Sequence, residues 1–489
     1  MATFSSLPTE ILLIILTDVH ENHLAFIDYL LGAGKDPDDV NDPNVIWDLF
    51  YHLRARIPSP YALAAVCTRW RATLRLSPKF WTDVVLYTSG NNVLTHREVL
   101  ANSDSLPIRI FITRDERSTK MQDFFEGCAV RHILSLCRPH MYRCTTLHID
   151  VAYHHSLPPL QSIRGDTSSL TSFGLYTDSF TQSVDVRVDV EYNASEILVS
   201  NLKSLTSLTL DGFSFQQAMD NRPLSQWDQW SKEVRVLNIN HFVKTSTTDT
   251  LVLYDIFENI ATLKHLRVLG IRNLAVLLWD PERGEDEDVL LDEAYEVLNV
   301  HTLILEGLAS DVTNWIFDNL TMPNIARLEF IKPRWPSSIF LPDARTITLK
   351  DYAPMYASFE PVLQWRGEVL VIKGGKFGVN DTLLKTLTEP RPSSNIQLVL
   401  GCHFLRTFGI EHCPLVTVRG LRNLVQGRGK LVDYSDPEWR GRIDPLNPAL
   451  DRLIVTVSPS YPPLSQEDRQ WFEDHLVDFG WIVSEPPDS

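Results

Sequence analysis

The chain of 489 residues is poor in cysteine, poor in positive charge and without a long hydrophobic run. Its six cysteines are scattered, which is no disulfide framework. That usage suits a reducing compartment, where cysteine acts as a small hydrophobe. Lys and Arg total 45 against 62 Asp and Glu, a formal net charge of −17 at pH 7. Such a field repels a phosphate backbone, so no nucleic-acid partner is expected. The densest basic stretch, RGLRNLVQGRGK at 419–430, is short and broken by glycines, and reads as a solvated loop or helix face. No segment approaches the roughly 20 apolar residues of a membrane span. The first residues, MATFSSLPTEILLIILTDV, lack the basic flank of a secretory signal, and Glu10 stands at the start of the short apolar run ILLIIL. The expectation is an intracellular protein, cytoplasmic, nuclear or both, with no membrane partner. The sequon Asn193-Ala194-Ser195 then has no meaning.

Signatures of catalysis are missing too. The sequence holds no Walker P-loop, no G-x-S-x-G and no H-E-x-x-H. IKGGKFG at 372–378 lacks the phosphate-loop spacing and reads as a tight turn. The best metal candidate is CHFLRTFGIEHC, with Cys402-His403 and His412-Cys413. A hairpin would bring the two pairs together. The intervening LRTFGI reads instead as a strand, which at about 3.3 Å per residue would hold them on the order of 25–30 Å apart. His154-His155 has no third ligand nearby in sequence and reads as surface. No catalytic residue, metal or cofactor is expected, and the chain is read as a non-enzyme. Acid is concentrated in residues 249–300, with twelve Asp/Glu against four Lys/Arg around GEDEDVLLDE, the pattern of an exposed solvating loop or of a docking patch for a basic partner.

What is present is patterned apolar sequence: 44% hydrophobic and 22% charged residues, in a chain too long for one ordinary core. Residues 6–19 read as a helix, with Pro8 in the first turn and Ile11, Leu12, Ile15, Leu16 and Val19 on a broad apolar stripe. HLAFIDYLL (23–31) is helical in period, GAGKDPDDVNDP (32–43) is turn-rich, and NVIWDLFYHLRARI (44–57) returns to helix. Ser59-Pro60 starts the next helix, in which Leu63, Val66, Cys67, Trp70 and Leu74 fall on one stripe, with Arg69, Arg71 and Arg75 off it. Ser77-Pro78 opens a short turn through Phe80-Trp81, and residues 82–86 (TDVVL) read as a strand.

From about residue 144 a segment of the form L-x-x-L-x-L recurs. It appears as CTTLHI (144–149), LTSFGL (170–175), LTSLTL (205–210), VRVLNI (234–239), LRVLGI (266–271), VHTLIL (300–305), IARLEF (325–330), ARTITL (344–349), LRTFGI (405–410), CPLVTV (413–418) and LDRLIV (450–455), with GEVLVI (367–372) a looser match. Helical period marks the connectors 123–137, 250–263 and 310–320, and a capping helix is expected at about 465–481. The mostly 19–35-residue spacing brackets the leucine-rich-repeat period. Strand, loop and helix units of this kind stack into a solenoid, each burying its neighbour's apolar face. The asparagine or cysteine that usually ties successive loops is replaced by Phe213, Phe242, Leu274 and Leu308, so loops anchored by apolar packing are expected.

Leu7-Pro8-Thr9-Glu10-Ile11-Leu12, then Val66-Cys67-Thr68-Arg69-Trp70, then Phe80-Trp81 resembles the F-box motif. Followed by degenerate leucine-rich repeats, it looks like the large F-box families of mushroom-forming fungi. The resemblance covers residues 4–86. It implies an α/β chain with an F-box-like helical domain at 1–88, interrupted by an insertion at about 20–58, and an irregular leucine-rich-repeat solenoid at 89–489. It implies the substrate-recognition subunit of an SCF (Skp–cullin–F-box) E3 ubiquitin ligase, acting in the ubiquitin conjugation pathway without catalysis of its own. The Skp-type adaptor, and through it a cullin–RING ligase, would meet Leu7, Pro8, Ile11, Leu12, Ile15, Leu16, Val66, Cys67 and Trp70, with Trp81 at the junction with the repeats. A protein substrate, which the sequence does not identify, would be bound by the repeats. Outward strand positions Ser207, Thr209, Arg235, Asn238, Arg267, Arg272 and Lys350 are the places to look. The alternative is a non-catalytic interaction scaffold that acts independently of ubiquitination. An enzyme on a repeat scaffold has no support in the sequence.

Overall fold

The L-x-x-L-x-L segments become parallel strands, because their apolar positions alternate onto one face and must find cover there. In the computed structural model, the residues described are 7–30, 60–88, 95–114, 123–159, 163, 165–177, 202, 204–220, 232–242, 251–276, 295–297, 299–375, 378–392, 398–430 and 449–484. The helix expected around Trp47, most of the 20–58 insertion and the acidic run 284–293 lie outside them. The chain is mixed α/β and divides into two compact units, Met1–Leu251 with Thr262–Leu266, and Val252–Ala261 with Arg267–Ser489. That division falls far from residue 88, where the sequence placed the boundary between helical domain and repeats.

The first unit opens with helices α1 (Thr9–Leu30), α2 (Tyr61–Val66) and α3 (Thr68–Arg75) and a short 3-10 turn at Pro78–Trp81. Strands β1 (Asp83–Tyr87), β2 (Ile108–Thr113), β3 (Cys144–Val151), β4 (Ser172–Thr177), β5 (Ser207–Asp211) and β6 (Val236–Phe242) follow, each parallel to the next. Helices α4 (His96–Asn102), α5 (Asp123–Cys137) and α6 (Gly212–Asp220) connect them. Val84, Ile110, Leu147, Phe173, Leu208 and Leu237 form one buried row across the sheet. Arg143 stands just before β3, buried, with its guanidinium donating to the carbonyls of Leu100, Ser103 and Leu106. It ties the end of α4 to the start of a strand.

The second unit repeats the scheme. Strands β7 (Val268–Leu274), β8 (Thr302–Glu306), β9 (Arg327–Ile331), β10 (Thr346–Lys350), β11 (Val369–Lys373), β12 (Thr407–Glu411), β13 (Arg452–Val457) and β14 (Asp478–Val483) run parallel in chain order. Helices α7 (Leu253–Ala261), α8 (Ser310–Asn319), α9 (Glu360–Gln364), α10 (Asp381–Thr386), α11 (Val418–Lys430) and α12 (Gln466–His475) belong to it. Leu269, Leu303, Leu328, Ile347, Leu370, Phe408 and Leu453 lie in register and are fully buried.

Each strand from β7 to β12 ends in the same way. Asn273, Gly307, Lys332, Asp351, Gly374 and His412 all take positive φ, between 49° and 71°. Glycine adopts this conformation freely, and Asn and Asp tolerate it. Successive turns are stitched by hydrogen bonds: Gly307 to Ile331, Lys332 to Lys350, Asp351 to Lys373 and Gly374 to Glu411, each from a backbone N–H to the carbonyl of the next repeat. One residue later stands the position where asparagine was looked for. Leu274, Leu308, Tyr352 and Cys413 are buried there, as is Phe242 in the first unit. Phe242 packs on Phe213 with ring centroids 4.6 Å apart. Apolar packing therefore anchors the loops, as the sequence implied.

Four sequence expectations need correction. CPLVTV is not a strand: Asn380 and Leu415 share a lone bridge, and helix α11 begins at Val418. The terminal helix stops at His475, and 478–483 form strand β14. RGLRNLVQGRGK belongs to helix α11, and Arg428 within it is wholly buried. Residues 61–75 are not one helix, because Cys67 is extended (φ −163°, ψ 167°) and separates α2 from α3. Val66 and Cys67 consequently leave the stripe that holds Leu74.

Candidate functional site

The residues of the Leu-Pro-x-Glu and Cys-x-x-Trp segments lie on or beside α1, α2 and α3, and the break at Cys67 organises them. Cys67 is the N-cap of α3: its Sγ accepts the N–H of Trp70 at 3.4 Å, meeting one of the donors a helix start leaves unpaired. Arg71 reaches back to the carbonyl of Ala64 at 3.2 Å and caps the end of α2. The Cys-x-x-Trp spacing is thus a capping geometry, three residues from cap to donor.

Helix α1 packs against α3 across the long insertion. The guanidinium of Arg69 donates to the carbonyl of Leu7, so a residue off the apolar stripe joins the two segments. Leu12 and Leu16 are fully buried, as is Leu74 on α3, and Thr73 beside it is buried. His20 is buried against Phe80, ring centroids 5.0 Å apart. Trp81 is buried and donates its indole N–H to the carbonyl of Leu74 at 3.0 Å. Tyr61 sets its ring edge-on to Trp81 at 6.0 Å, and its hydroxyl accepts the Val85 N–H at 2.9 Å. Burial pushes that phenol far above its ordinary pKa, so it stays a neutral hydroxyl. The helical module is therefore fastened to strand β1.

The nine proposed adaptor contacts separate into three groups. Leu12 and Leu16 are core and reach no partner as the helices stand. Pro8, Ile11, Val66 and Cys67 are exposed, and Leu7, Ile15 and Trp70 are half-buried. Ile11 keeps 43% of its surface in water and Val66 keeps 60%. Ile14 is 64% exposed, and Val19 and Leu76 are exposed as well. Isolated exposed aliphatics are ordinary, but here several fall on or at the ends of helices α1, α2 and α3.

Among the strand-face residues, Ser207 and Lys350 are half-buried and Arg235 and Arg267 exposed, whereas Thr209, Asn238 and Arg272 are buried. Most charges on this face in the second unit meet a neighbour's. Glu329, fully buried, holds Lys350 at 2.6 Å and Arg327 at 3.2 Å, and Lys373 meets Glu411 at 3.0 Å.

One polar constellation was not flagged in the sequence. His148 Nε2 lies 2.8 Å from the Ser172 hydroxyl, and its Nδ1 lies 3.2 Å from the Tyr176 hydroxyl. Burial pulls the imidazole down to a pKa of about 3. So weak a base is ill matched to abstracting a serine proton near pH 7. Strand alternation was the signal that puts these residues on one face, and only the register shows they meet. The metal candidate is divided by β12, with Cys402 in the turn before it and Cys413 after it. Among the described residues no group of three or more His, Cys, Asp or Glu side chains is placed to hold a metal.

No protein-family model matches the chain, and none of the curated proteins compared with it matches either. Among the described residues no helix is long and apolar enough to cross a membrane.

Proposed function

We propose that this chain is an F-box-like substrate receptor: α1 to α3 dock the Skp-type adaptor of a cullin–RING ubiquitin ligase, and an irregular leucine-rich-repeat solenoid holds a protein target. The observation that carries the reading is the exposure of Pro8, Ile11, Val66 and Cys67 on helical segments whose other faces are packed. A module this small finds part of its apolar cover on a partner. The parallel strands in chain order, with helical connectors and a repeated left-handed turn, support the solenoid. The chain works by proximity: one end is held by the ligase, the other by the target, which raises the target's effective concentration near the charged conjugating enzyme.

The test is affinity purification of the tagged chain with the proteasome blocked. Recovery of both a Skp-type adaptor and a cullin supports the reading, provided that Ile11→Asp with Val66→Asp removes both. Recovery of neither supports the alternative of a scaffold that acts independently of ubiquitination.

A further inference from the structure

Strands β5 and β6 place four oxygen-bearing side chains together in the interior of the first unit. Thr209 lies opposite Asn238 and Asp211 opposite Asn240, in parallel register. Alternation puts Thr209 with Asp211 on one face of β5, and Asn238 with Asn240 on one face of β6. The hydrogen bond from Asn238 Nδ2 to Thr209 Oγ1, 3.3 Å, confirms that the two faces are the same. All four residues are at least 98% buried.

The remaining polar atoms have one sign. Asp211 Oδ1 accepts the Ser214 N–H at 3.2 Å, but Asp211 Oδ2, Asn238 Oδ1 and Asn240 Oδ1 are buried with no hydrogen-bond partner among the described residues. Such atoms cost about 1–3 kcal/mol each when left unmet, so three of them on one face of two paired strands require an explanation. All three are acceptors. A water molecule has two protons and satisfies at most two of them, whereas a cation satisfies all three. Adjacent to Asp211, a Cβ on Gly212 would come within 2.5 Å of the Phe242 side chain, so that glycine lets the aromatic ring close down beside the cluster.

We propose that Asp211, Asn238 and Asn240, with Thr209 beside them, form part of the shell of a partly dehydrated alkali cation, sodium or potassium, inside the first unit. The donor set is hard oxygen throughout, with no imidazole or thiolate to favour zinc or copper. It carries a single carboxylate, which balances one positive charge. Calcium sites normally carry several carboxylates to balance a double charge, and magnesium keeps much of its water, so neither suits this set. Burial without a counter-charge raises the Asp211 pKa to about 6, and a bound cation would pull it back towards the usual carboxylate range.

The experiment is thermal unfolding of the full chain in sodium, potassium and choline chloride at equal ionic strength. Binding to the folded state alone raises the melting temperature of the wild type by about 2–4 °C in at least one alkali salt relative to choline. Asp211→Asn keeps the Oδ1 acceptor, removes the charge, and should abolish that difference. Asn240→Asp, by doubling the charge, should shift the preference towards calcium and serves as the second variant if Asp211→Asn does not fold. Thallium(I)-soaked crystals should show an anomalous peak among Asp211, Asn238 and Asn240. Equal melting temperatures in all three salts, a difference that persists in Asp211→Asn, or density that fits only ordered water would each overturn the proposal.

Discussion

Arg428 offers the sharpest test of how the second unit is held together. Its side chain is wholly buried in α11, and its guanidinium donates to four carbonyls: Leu387 at 3.2 Å, Gly401 and Cys402 at 3.0 Å, and Leu405 at 3.3 Å. Burial pushes its pKa down to about 10, so it remains charged at neutral pH. Arg428→Leu removes every donor and leaves four carbonyls facing an apolar side chain. At about 1–3 kcal/mol for a buried group left unmade, less the desolvation recovered when a buried charge is deleted, the net loss is about 3–5 kcal/mol. Arg428→Lys keeps the charge but concentrates three donors on one atom, and cannot span carbonyls on both sides as the planar fork does. It should lose about half as much. Urea unfolding gives both numbers, and hydrogen exchange should show the loss concentrated near 401–411. An Arg428→Leu protein within about 1 kcal/mol of the wild type would refute the reasoning.

His148 is held neutral by burial, its pKa lowered from 6.5 to about 3, so its contribution to stability is present above pH 6.5. That contribution should fall by roughly 1.4 kcal/mol per unit as the pH drops from 6.5 towards 3, and His148→Gln should flatten the slope in acid unfolding curves. Tyr61→Phe leaves the Val85 N–H without its acceptor and should cost about 1 kcal/mol in the same urea assay. Cys67 is the one exposed thiol among the six cysteines. Carboxymethylating it should weaken adaptor binding at least tenfold, while Cys67→Ser keeps a capping oxygen, binds as the wild type does and resists the reagent.

The repeats were legible because their signal is periodic. Eleven of the twelve L-x-x-L-x-L-like segments are strands, and of the apolar residues in place of the asparagine Phe242, Leu274 and Leu308 are buried and Phe213 is half-buried. CPLVTV misled because the same alternation can precede a helix, and nothing local separates the two readings. Arginine is usually solvated, so sequence alone points Arg428 outward; only tertiary packing supplies the four carbonyls that keep it inside. The break at Cys67 is subtler. Its neighbours keep helical spacing, so the stripe looked continuous, and the cap becomes visible only in the backbone angles. For the same reason the sequence placed Leu12 and Leu16 beside Ile11 as partner contacts. Their inward direction depends on α3 lying against α1, a contact made across an insertion of undetermined geometry in the sequence.

The central claim rests on the outer face of those helices, and its most direct measurement is calorimetric titration of the purified chain with a purified Skp-type adaptor. The expected result is saturable one-to-one binding, weakened at least tenfold by Ile11→Asp with Val66→Asp. Both positions are exposed, so the fold should persist, which the melting temperature checks. No heat of binding from the folded wild-type chain, or equal affinity from the double variant, would contradict the account.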